Sequence, residues 1–114
     1  MYDLFDEKMT MLCTIKKIVE NVSMDAESYD LVVYTDIPCF YEEQEFTKLN
    51  EHGQVVRFSG CIYFKADAPI DIEHPKHEFF ITSPIARSGI KTYQINKLNN
   101  PNDGTLHHFE VWTL

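Results

Sequence analysis

The segment VVRFSGCIYFK, residues 55–65, carries the clearest strand pattern of the chain. Because successive side chains of a strand point to opposite faces, its alternation predicts one apolar face and one mixed face. The apolar face consists of Val56, Phe58, Gly60, Ile62 and Phe64. Gly60 in the middle of the segment predicts a bend or a bulge, of the kind that small barrels need at their corners.

The N-terminal half contains one further predicted strand and one ambiguous segment. Residues 31–41 begin with LVVY, which is predicted to be the buried start of a strand. Pro38 cannot donate a hydrogen bond to a neighbouring strand, which places residues 37–39 at a sheet edge or a bulge. Residues 9–22 fit a helix and a strand equally well, since their apolar residues share a face in either period. The polar residues 21–30 are predicted to form a loop.

The C-terminal half contains three more predicted strands, at residues 78–82, 91–98 and 106–114. The turn sequence NNPNDG at residues 99–104 joins the last two into a hairpin. About six short strands at close spacing favour a β-barrel or a sandwich. We predict a mainly β protein with one domain over residues 1–114, a small β-barrel of about six strands with or without one short helix.

The chain is acidic, with a formal net charge of −8 and a pI near 4.9. Its basic residues are scattered, and only Lys16 and Lys17 are adjacent. Binding of a polyanion needs clustered cations, so the composition argues against general nucleic-acid binding. The same Coulomb argument allows the opposite role, an acidic wall past which DNA slides without sticking.

The cysteines indicate a reducing compartment. Cys13, Cys39 and Cys61 lie among apolar residues, and their number and spacing match no secreted disulfide scaffold. We expect three reduced, buried thiols in a cytosolic setting. No apolar run approaches the roughly 20 residues that span a bilayer, and the N-terminal residues lack the pattern of a signal peptide, so no membrane contact is expected.

One set of residues resembles a metal site, and it consists of His74, His77, His107, His108 and Glu110. On a strand, His107 and His108 point to opposite faces and are not expected to share a metal. His108 and Glu110 face the same way, and a histidine from the preceding loop would complete the site of a metal-dependent hydrolase. Packing of the rings on strand surfaces explains the same residues more simply. Since no nucleophile, phosphate-loop or dinucleotide motif occurs, we expect no enzymatic activity, metal or cofactor.

Three aromatic residues allow a binding function as an alternative. Tyr63, Tyr93 and Trp112 would form a stacking surface for single strands in an oligonucleotide-binding barrel. That type of module also needs a basic groove, which the net charge disfavours. The preferred interpretation of these side chains is core or subunit interface.

Three stretches of the chain resemble the head-completion proteins of tailed bacteriophages, also described as head-closure proteins, head–tail stoppers or minor capsid proteins. The first is YDLFDEK at residues 2–8, followed by an apolar run. The second is Ile37-Pro38-Cys39 leading into Glu42-Glu43, and the third is GTLHHFEV at residues 104–111. The segment 72–80 departs from the family pattern, with HPKH where a Gly-Asp turn is expected.

The resemblance implies a small β-barrel that assembles into a ring, usually twelvefold, below the portal and adaptor proteins. Such a ring closes the DNA-filled head, docks the tail through the tail-terminator protein, and lets double-stranded DNA pass without specific binding. The implied location is the virion, after assembly in the cytoplasm of the host bacterium. A tail-terminator or tail-completion protein is the alternative within phages.

The resemblance also implies roles for particular residues. Residues 42–54 match a loop that reaches into the channel in some family members, and its candidate residues are Glu42, Glu43, Glu45, Lys48, Glu51 and Gly53. Its glutamates and its glycine predict a mobile, DNA-repelling loop. The candidate contacts between subunits or with docking partners are Tyr2, Phe5, Ile37, Pro38, His107 and Trp112.

Overall fold

The computed structural model describes residues 7–23, 26–71 and 77–114, with the backbone alone described between residues 18 and 30. The strands are β1 (Met11–Ser23), β2 (Ala26–Leu49), β3 (Val55–Lys65), β4 (His77–Ser83), β5 (Thr92–Asn99) and β6 (Leu106–Thr113). The prediction of a mainly β protein with about six strands is therefore confirmed. Only Glu7 and Lys8 have α-helical backbone conformation within the described ranges.

All six strands belong to one antiparallel sheet with the order β4-β1-β2-β3-β6-β5. The sheet is strongly curled. The rings of Phe64 on β3 and Phe79 on β4 lie 5.5 Å apart, although β1 and β2 separate these strands in the sheet. In the described residues no strand ladder joins the outer strands β4 and β5, so the sheet rolls towards a barrel without closing.

The curl creates two apolar clusters on the sheet. The larger core lies inside the roll and consists of Cys13, Ile15, Cys39, Ile62, Phe64, Phe79, Ile81, Phe109 and Val111. The second cluster consists of Phe58, Cys61 and Trp112, with Phe46, Val56 and Tyr63 packed against them. Because Ile62 belongs to the first cluster and Cys61 to the second, the middle of β3 is buried from both sides.

The ambiguous segment at residues 9–22 is a strand, and it pairs with β2 along its whole length, from Met11↔Cys39 to Ser23↔Ala26. The predicted loop at residues 21–30 is wrong, because β1 continues to Ser23 and β2 begins at Ala26. β-branched residues are frequent in β1 and favour a strand. The long partner strand β2 provides the hydrogen bonds that stabilise the strand over the helix. Pairing with β2 therefore makes this segment a strand.

The end of the β1–β2 hairpin extends beyond the rest of the sheet. Pairing of β4 with β1 ends at Lys17, and pairing of β3 with β2 begins at Cys39. We call residues 18–23 and 26–33 the arm. The prediction that LVVY is buried is wrong at this position, since Leu31 is 58% exposed and Val33 is 47% exposed.

A bulge separates the arm from the core part of β2. The register shifts between Cys13 and Ile15 of β1, and Asp36 opposite has a φ of 56°. Pro38 lies two residues further on, directly before the first β2–β3 pair at Cys39. The prediction of a bulge near Pro38 is confirmed. Pro38 has no backbone N–H to donate, and it lies just outside the part of β2 that pairs with β3.

Gly60 allows β2 and β3 to approach closely. A second bulge interrupts β2 between Glu43 and Phe46, directly beside the pair Glu43↔Gly60. A Cβ atom at position 60 would lie 2.7 Å from the carbonyl oxygen of Glu42 and 2.8 Å from the ring of Tyr41. The predicted bend or bulge at Gly60 is confirmed, and its cause is a backbone contact that any side chain would prevent.

The C-terminal hairpin is confirmed with small shifts of its bounds. Asn100 and Thr105 close the turn through a backbone hydrogen bond of 2.7 Å, and Gly104 has a φ of 74°. The positive φ explains the Asp-Gly signal, since glycine adopts this conformation without strain. β3 begins and ends as the alternation predicts.

We predict that Gly60→Ala lowers the free energy of unfolding by about 1–3 kcal/mol, because the backbone of β2 must shift to admit the methyl group. Urea unfolding followed by tryptophan fluorescence measures this change through the midpoint. Thr47→Ala on the exposed side of β2 is the control, with an expected change within about 0.5 kcal/mol. Equal midpoints for both variants would show that the contact at Gly60 does not constrain the sheet.

Candidate functional site

The segment predicted as a mobile channel loop is largely a strand. β2 continues through Glu42, Glu43, Glu45 and Lys48 to Leu49, paired with β3. Only residues 50–54 form the connection to β3. The loop prediction for residues 42–54 is therefore wrong in extent. Pairing with β3 continues as far as Leu49 and keeps the acidic residues within a strand.

The turn at residues 50–54 is held by its own hydrogen bonds. The side-chain oxygen of Asn50 accepts hydrogen bonds from the backbone amides of His52 and Gln54, each at 2.9 Å. The backbone amide of Asn50 donates to the carbonyl of Gln54 at 2.9 Å, and Gly53 has a φ of 75°. The predicted positive φ of Gly53 is confirmed. The hairpin end is a defined turn, as the local bonding of Asn side chains favours.

Arginines neutralise part of the acidic hairpin. Glu43 forms an ion pair with Arg87, and Glu45 lies 3.8 Å from the guanidinium of Arg57. The side chains of the Glu43–Arg87 pair are 46–47% exposed and those of the Glu45–Arg57 pair are mostly exposed, so each pair contributes little to stability. They do reduce the negative potential of the hairpin. Glu51 at its tip has a side chain that is 88% exposed and lies 3.9 Å from the ring of His52.

Trp112 is held in the core between β2 and β6. Its indole is 7% exposed, with the ammonium of Lys48 3.6 Å from its ring centroid and Phe46 packed edge-on at 5.2 Å. The cation over the ring face is a favourable electrostatic contact. Burial places Trp112 in the core of the protomer and leaves it little surface for a docking contact. It also removes the stacking surface shared with Tyr63 and Tyr93, since only Tyr93 is exposed.

A cleft of about 470 Å³ separates the β2–β3 hairpin from β5. Its lining residues are Lys48, Leu49, Asn50, Glu51, Val56, Phe58, Tyr93 and Gln94. Exposed apolar side chains border it, with Leu49 70%, Val55 66% and Tyr93 45% exposed. We call this region the hairpin cleft. Sequence reasoning missed it, although Leu49 and Val55 flanking a polar turn were a signal that both could remain outside the core.

The remaining predicted contact residues are dispersed. Ile37 is half-buried against the larger core, and Pro38 next to it is exposed. His107 is half-buried on β6. Tyr2 and Phe5 lie outside the described residues. Only Pro38 among the described candidates presents an open surface at a strand edge.

The histidines of β6 contact each other directly. The Nδ1 atoms of His107 and His108 lie 2.8 Å apart, which corrects the expectation that their rings diverge. The Nε2 atom of His108 lies 3.4 Å from a carboxylate oxygen of Glu110. Because the two neighbours meet opposite nitrogens of the His108 ring, one ion cannot bind all three groups.

Metal binding finds no further support. No group of three or more His, Cys, Asp or Glu side chains is placed to hold an ion within residues 7–17, 31–71 and 77–114. His77 is buried with its ring stacked on Phe79, in agreement with the simpler interpretation. His74 lies outside the described residues.

A second cleft of about 290 Å³ is lined by Lys8, Met9, Phe40, Glu42, Tyr63 and His108. The hydroxyl of Tyr63 donates to the carboxylate of Glu42 at 3.4 Å. Burial, with the neighbouring Cys61, raises the pKa of Tyr63. Its hydroxyl therefore remains a neutral donor to Glu42 at neutral pH, which makes this cleft a structural hydrogen-bonding site.

All three cysteines are reduced and completely buried, as predicted. The pKa of the Cys61 thiol is raised to about 12, mainly by burial and next by the charge of Glu110. The hydrogen bond with Cys13 and burial raise the pKa of Cys39 as well. A nucleophilic cysteine needs the opposite shift, so Cys39 and Cys61 act as core residues. The hydrogen bond with Cys39 lowers the pKa of Cys13, but this thiol has no accessible surface and also belongs to the core.

No helix in the described part of the chain is long and apolar enough to cross a membrane. Comparison of the chain with protein-family models, with curated proteins and with solved structures finds no match. The function must therefore be argued from the residues and their arrangement.

We predict that stability falls in alkali because of Cys61. Its pKa is raised in the folded state, so the contribution to stability is fully present below its ordinary value of 9.0 and is lost as the pH rises towards 12. The loss is up to about 1.4 kcal/mol per pH unit for this one group. Urea unfolding at several pH values between neutral and strongly alkaline measures the slope.

Cys61→Ala is the informative variant, since it removes the titrating group and leaves a small cavity whose cost does not depend on pH. Its free energy of unfolding is expected to be lower at neutral pH and to decline less steeply in alkali than that of the wild type. Parallel slopes would show that the thiol of Cys61 does not govern the alkaline loss.

Proposed function

We propose that this protein is a structural virion protein of the phage head-to-tail connector. In this proposal it forms a ring below the portal and adaptor proteins, closes the DNA-filled head and docks the tail. The resemblance of the three sequence stretches supports this role, and the mainly β sheet agrees with the barrel that the resemblance implies. The role has no catalytic step, and the core position of the cysteines supports it.

One observation carries the proposal from the structural side, the presence of two separate apolar surfaces at strand ends. The first includes Leu31 and Val33 on the arm, and the second includes Leu49, Val55 and Tyr93 at the hairpin cleft. Exposed apolar groups at distinct places favour contacts with other macromolecules. A protomer of a cyclic ring needs two such different patches, because each subunit meets its neighbours through unlike surfaces.

The β2–β3 hairpin is the candidate for the channel-facing element in this proposal. Its contribution would come from the turn at residues 50–54, and the exposed Glu51 would present negative charge to passing DNA. Glu43 and Glu45 contribute less, because Arg87 and Arg57 offset them. The hairpin would therefore act through the position and the charge of its end.

A tail-terminator or tail-completion protein is the second candidate, since it would also be a small β-rich ring former with two unlike surfaces. An oligonucleotide-binding barrel is less favoured, because burial of Trp112 leaves Tyr93 without the stacking partners that such a surface uses. A metal-dependent hydrolase is less favoured because His108 faces His107 and Glu110 through opposite ring nitrogens.

We predict that an amber mutation in the gene, within the tailed phage that encodes it, yields filled heads and separate tails of normal length. The reason is that loss of a head-closing ring removes the docking surface and leaves tail growth untouched. Electron microscopy of lysates measures head filling, joining and tail length. Plasmid-borne wild-type protein is the control and should restore infectious particles.

Other outcomes of the same experiment are decisive. Tails of uncontrolled length would favour the tail-terminator alternative, because a growing polymer without its cap continues to add subunits. Complete infectious virions without this protein, together with its absence from purified wild-type particles by mass spectrometry, would contradict both virion roles.

We further predict that cryo-EM of the connector places the turn at residues 50–54 in the channel lumen. Glu51→Lys should then slow DNA ejection, because an attractive charge replaces a repulsive one in the ring. Lys8→Glu, at the second cleft and not at the turn, is the control for a change of surface charge. A turn located on the outer wall of the ring would contradict the channel role and leave the ring itself unaffected.

A further inference from the structure

The charges of the chain are divided between two segments that both contain sheet edges. Residues 18–36, which include the arm, contain five acidic residues and no Lys or Arg: Glu20, Asp25, Glu27, Asp30 and Asp36. Residues 84–102, which include β5, contain Arg87, Lys91 and Lys97 and no Asp or Glu. The segment that includes the edge strand β5 is therefore basic, although the protein as a whole is acidic.

Both segments leave a strand edge open in the described part of the chain. β2 pairs with β3 only from Cys39 onwards, so its outer edge carries no strand along residues 26–38. β5 is the last strand of the sheet and pairs only with β6. An open edge presents unpaired amides and carbonyls that can accept another strand.

Apolar groups accompany both edges. Leu31 and Val33 are exposed on the β2 part of the arm, and Tyr93 is exposed on β5 beside the hairpin cleft. The chain from residue 26 to residue 33 is as long as β5, from Thr92 to Asn99. The two edges thus match in length, in exposed apolar character and in opposite sign of charge.

We propose that the arm of one copy docks along β5 of a second copy, with the outer edge of β2 added as a strand to the neighbouring sheet. The contact deepens the proposed ring function and rests on it, since it names the surfaces through which copies of this chain meet. Backbone hydrogen bonds supply the strand addition, and the cleft beside Tyr93 receives the apolar side chains of the arm.

The distribution of charge selects this pairing over its symmetric rivals. Arm against arm would pair two segments whose only charged residues are acidic, and β5 against β5 would bring Lys91 and Lys97 towards like charges. Like charges directly opposite each other destabilise a strand pair. The favoured contact joins two unlike edges, and such contacts close into rings or continue into filaments.

Lys91 and Lys97 are free to serve the contact. Both side chains are exposed, and neither takes part in an ion pair within the described residues. Arg87 is already held by Glu43. Exposed charges act over about 8 Å at physiological ionic strength, so the attraction is strong only at close approach and weakens as salt is added.

Intermolecular paramagnetic relaxation tests the contact, because it detects weak association between intact chains. One copy carries a nitroxide on Ser23→Cys in the arm. The second copy is ¹⁵N-labelled and carries no nitroxide. The buried native thiols are protected from the reagent. We expect loss of amide signal intensity along residues 92–99 of the second copy, with recovery at high salt.

Charge swaps make the test specific. Lys91→Glu with Lys97→Glu in the ¹⁵N-labelled copy should abolish the loss, and Glu27→Lys with Asp30→Lys in the spin-labelled arm should restore it. The control pair Lys8→Glu with Lys16→Glu in the ¹⁵N-labelled copy lies outside β5 and the hairpin cleft, carries the same net charge and should leave the loss unchanged. The amide spectrum of each variant reports whether it folds.

Several results would overturn the proposal. These are an absence of signal loss along β5 in the wild type, a loss confined to the arm of the second copy, or failure of the swapped pair to restore it. If the amber phage shows unjoined heads while the arm fails to meet β5, the ring uses another surface and the connector role stands. If the contact forms but the phage matures normally without the protein, the connector role fails and the contact stands.

Discussion

The close approach of β2 and β3 at Gly60 is the constraint on which the sheet depends. The carbonyl of Glu42 occupies the space that a side chain at position 60 would need. With the adjacent bulge in β2, this contact turns the hairpin away from the flat course of the sheet. One sheet can then bury Ile62 in one cluster and Cys61 in another, which stabilises a small protein without a second layer.

The same bend sets the positions of the surfaces that face outward. Beyond it, the β2–β3 hairpin diverges from β5 and leaves the hairpin cleft, while Lys48 and Phe46 cover Trp112 from above. At the other end of β2, the bulge at Asp36 marks the transition from core strand to arm. Only the middle of β2 therefore contributes to the core, and both ends of this long strand remain available for contacts.

Much of the fold was predictable because its signals are local. The alternation of residues 55–65, the Asp-Gly turn before β6 and the effect of Pro38 depend on single strands and turns. The arm was not predictable from either of its strands alone, since a β-branched stretch and a polar stretch form one hairpin by pairing with each other. Leu31 and Val33 were assigned to the core because apolar runs usually are.

The candidate site was predicted in part. The importance of the acidic residues after Pro38 was visible, and so was the positive φ of Gly53, but the neutralising partners Arg57 and Arg87 lie on other strands. The burial of Trp112 depends on Phe46 and Lys48, which no spacing rule connects to it. The histidine contact on β6 departs from simple alternation, so the two rings meet despite adjacent positions.

The buried thiols have a consequence for the proposed life of the protein outside the cell. All three cysteines have no accessible surface, and they lie on the neighbouring strands β1, β2 and β3. A virion leaves a reducing cytoplasm and then persists in oxygenated surroundings, where surface thiols would link the many copies of an assembly at random. Because its thiols are buried, a ring of this protein would not form disulfide bonds between subunits outside the cell. Its subunits would remain joined by non-covalent contacts alone.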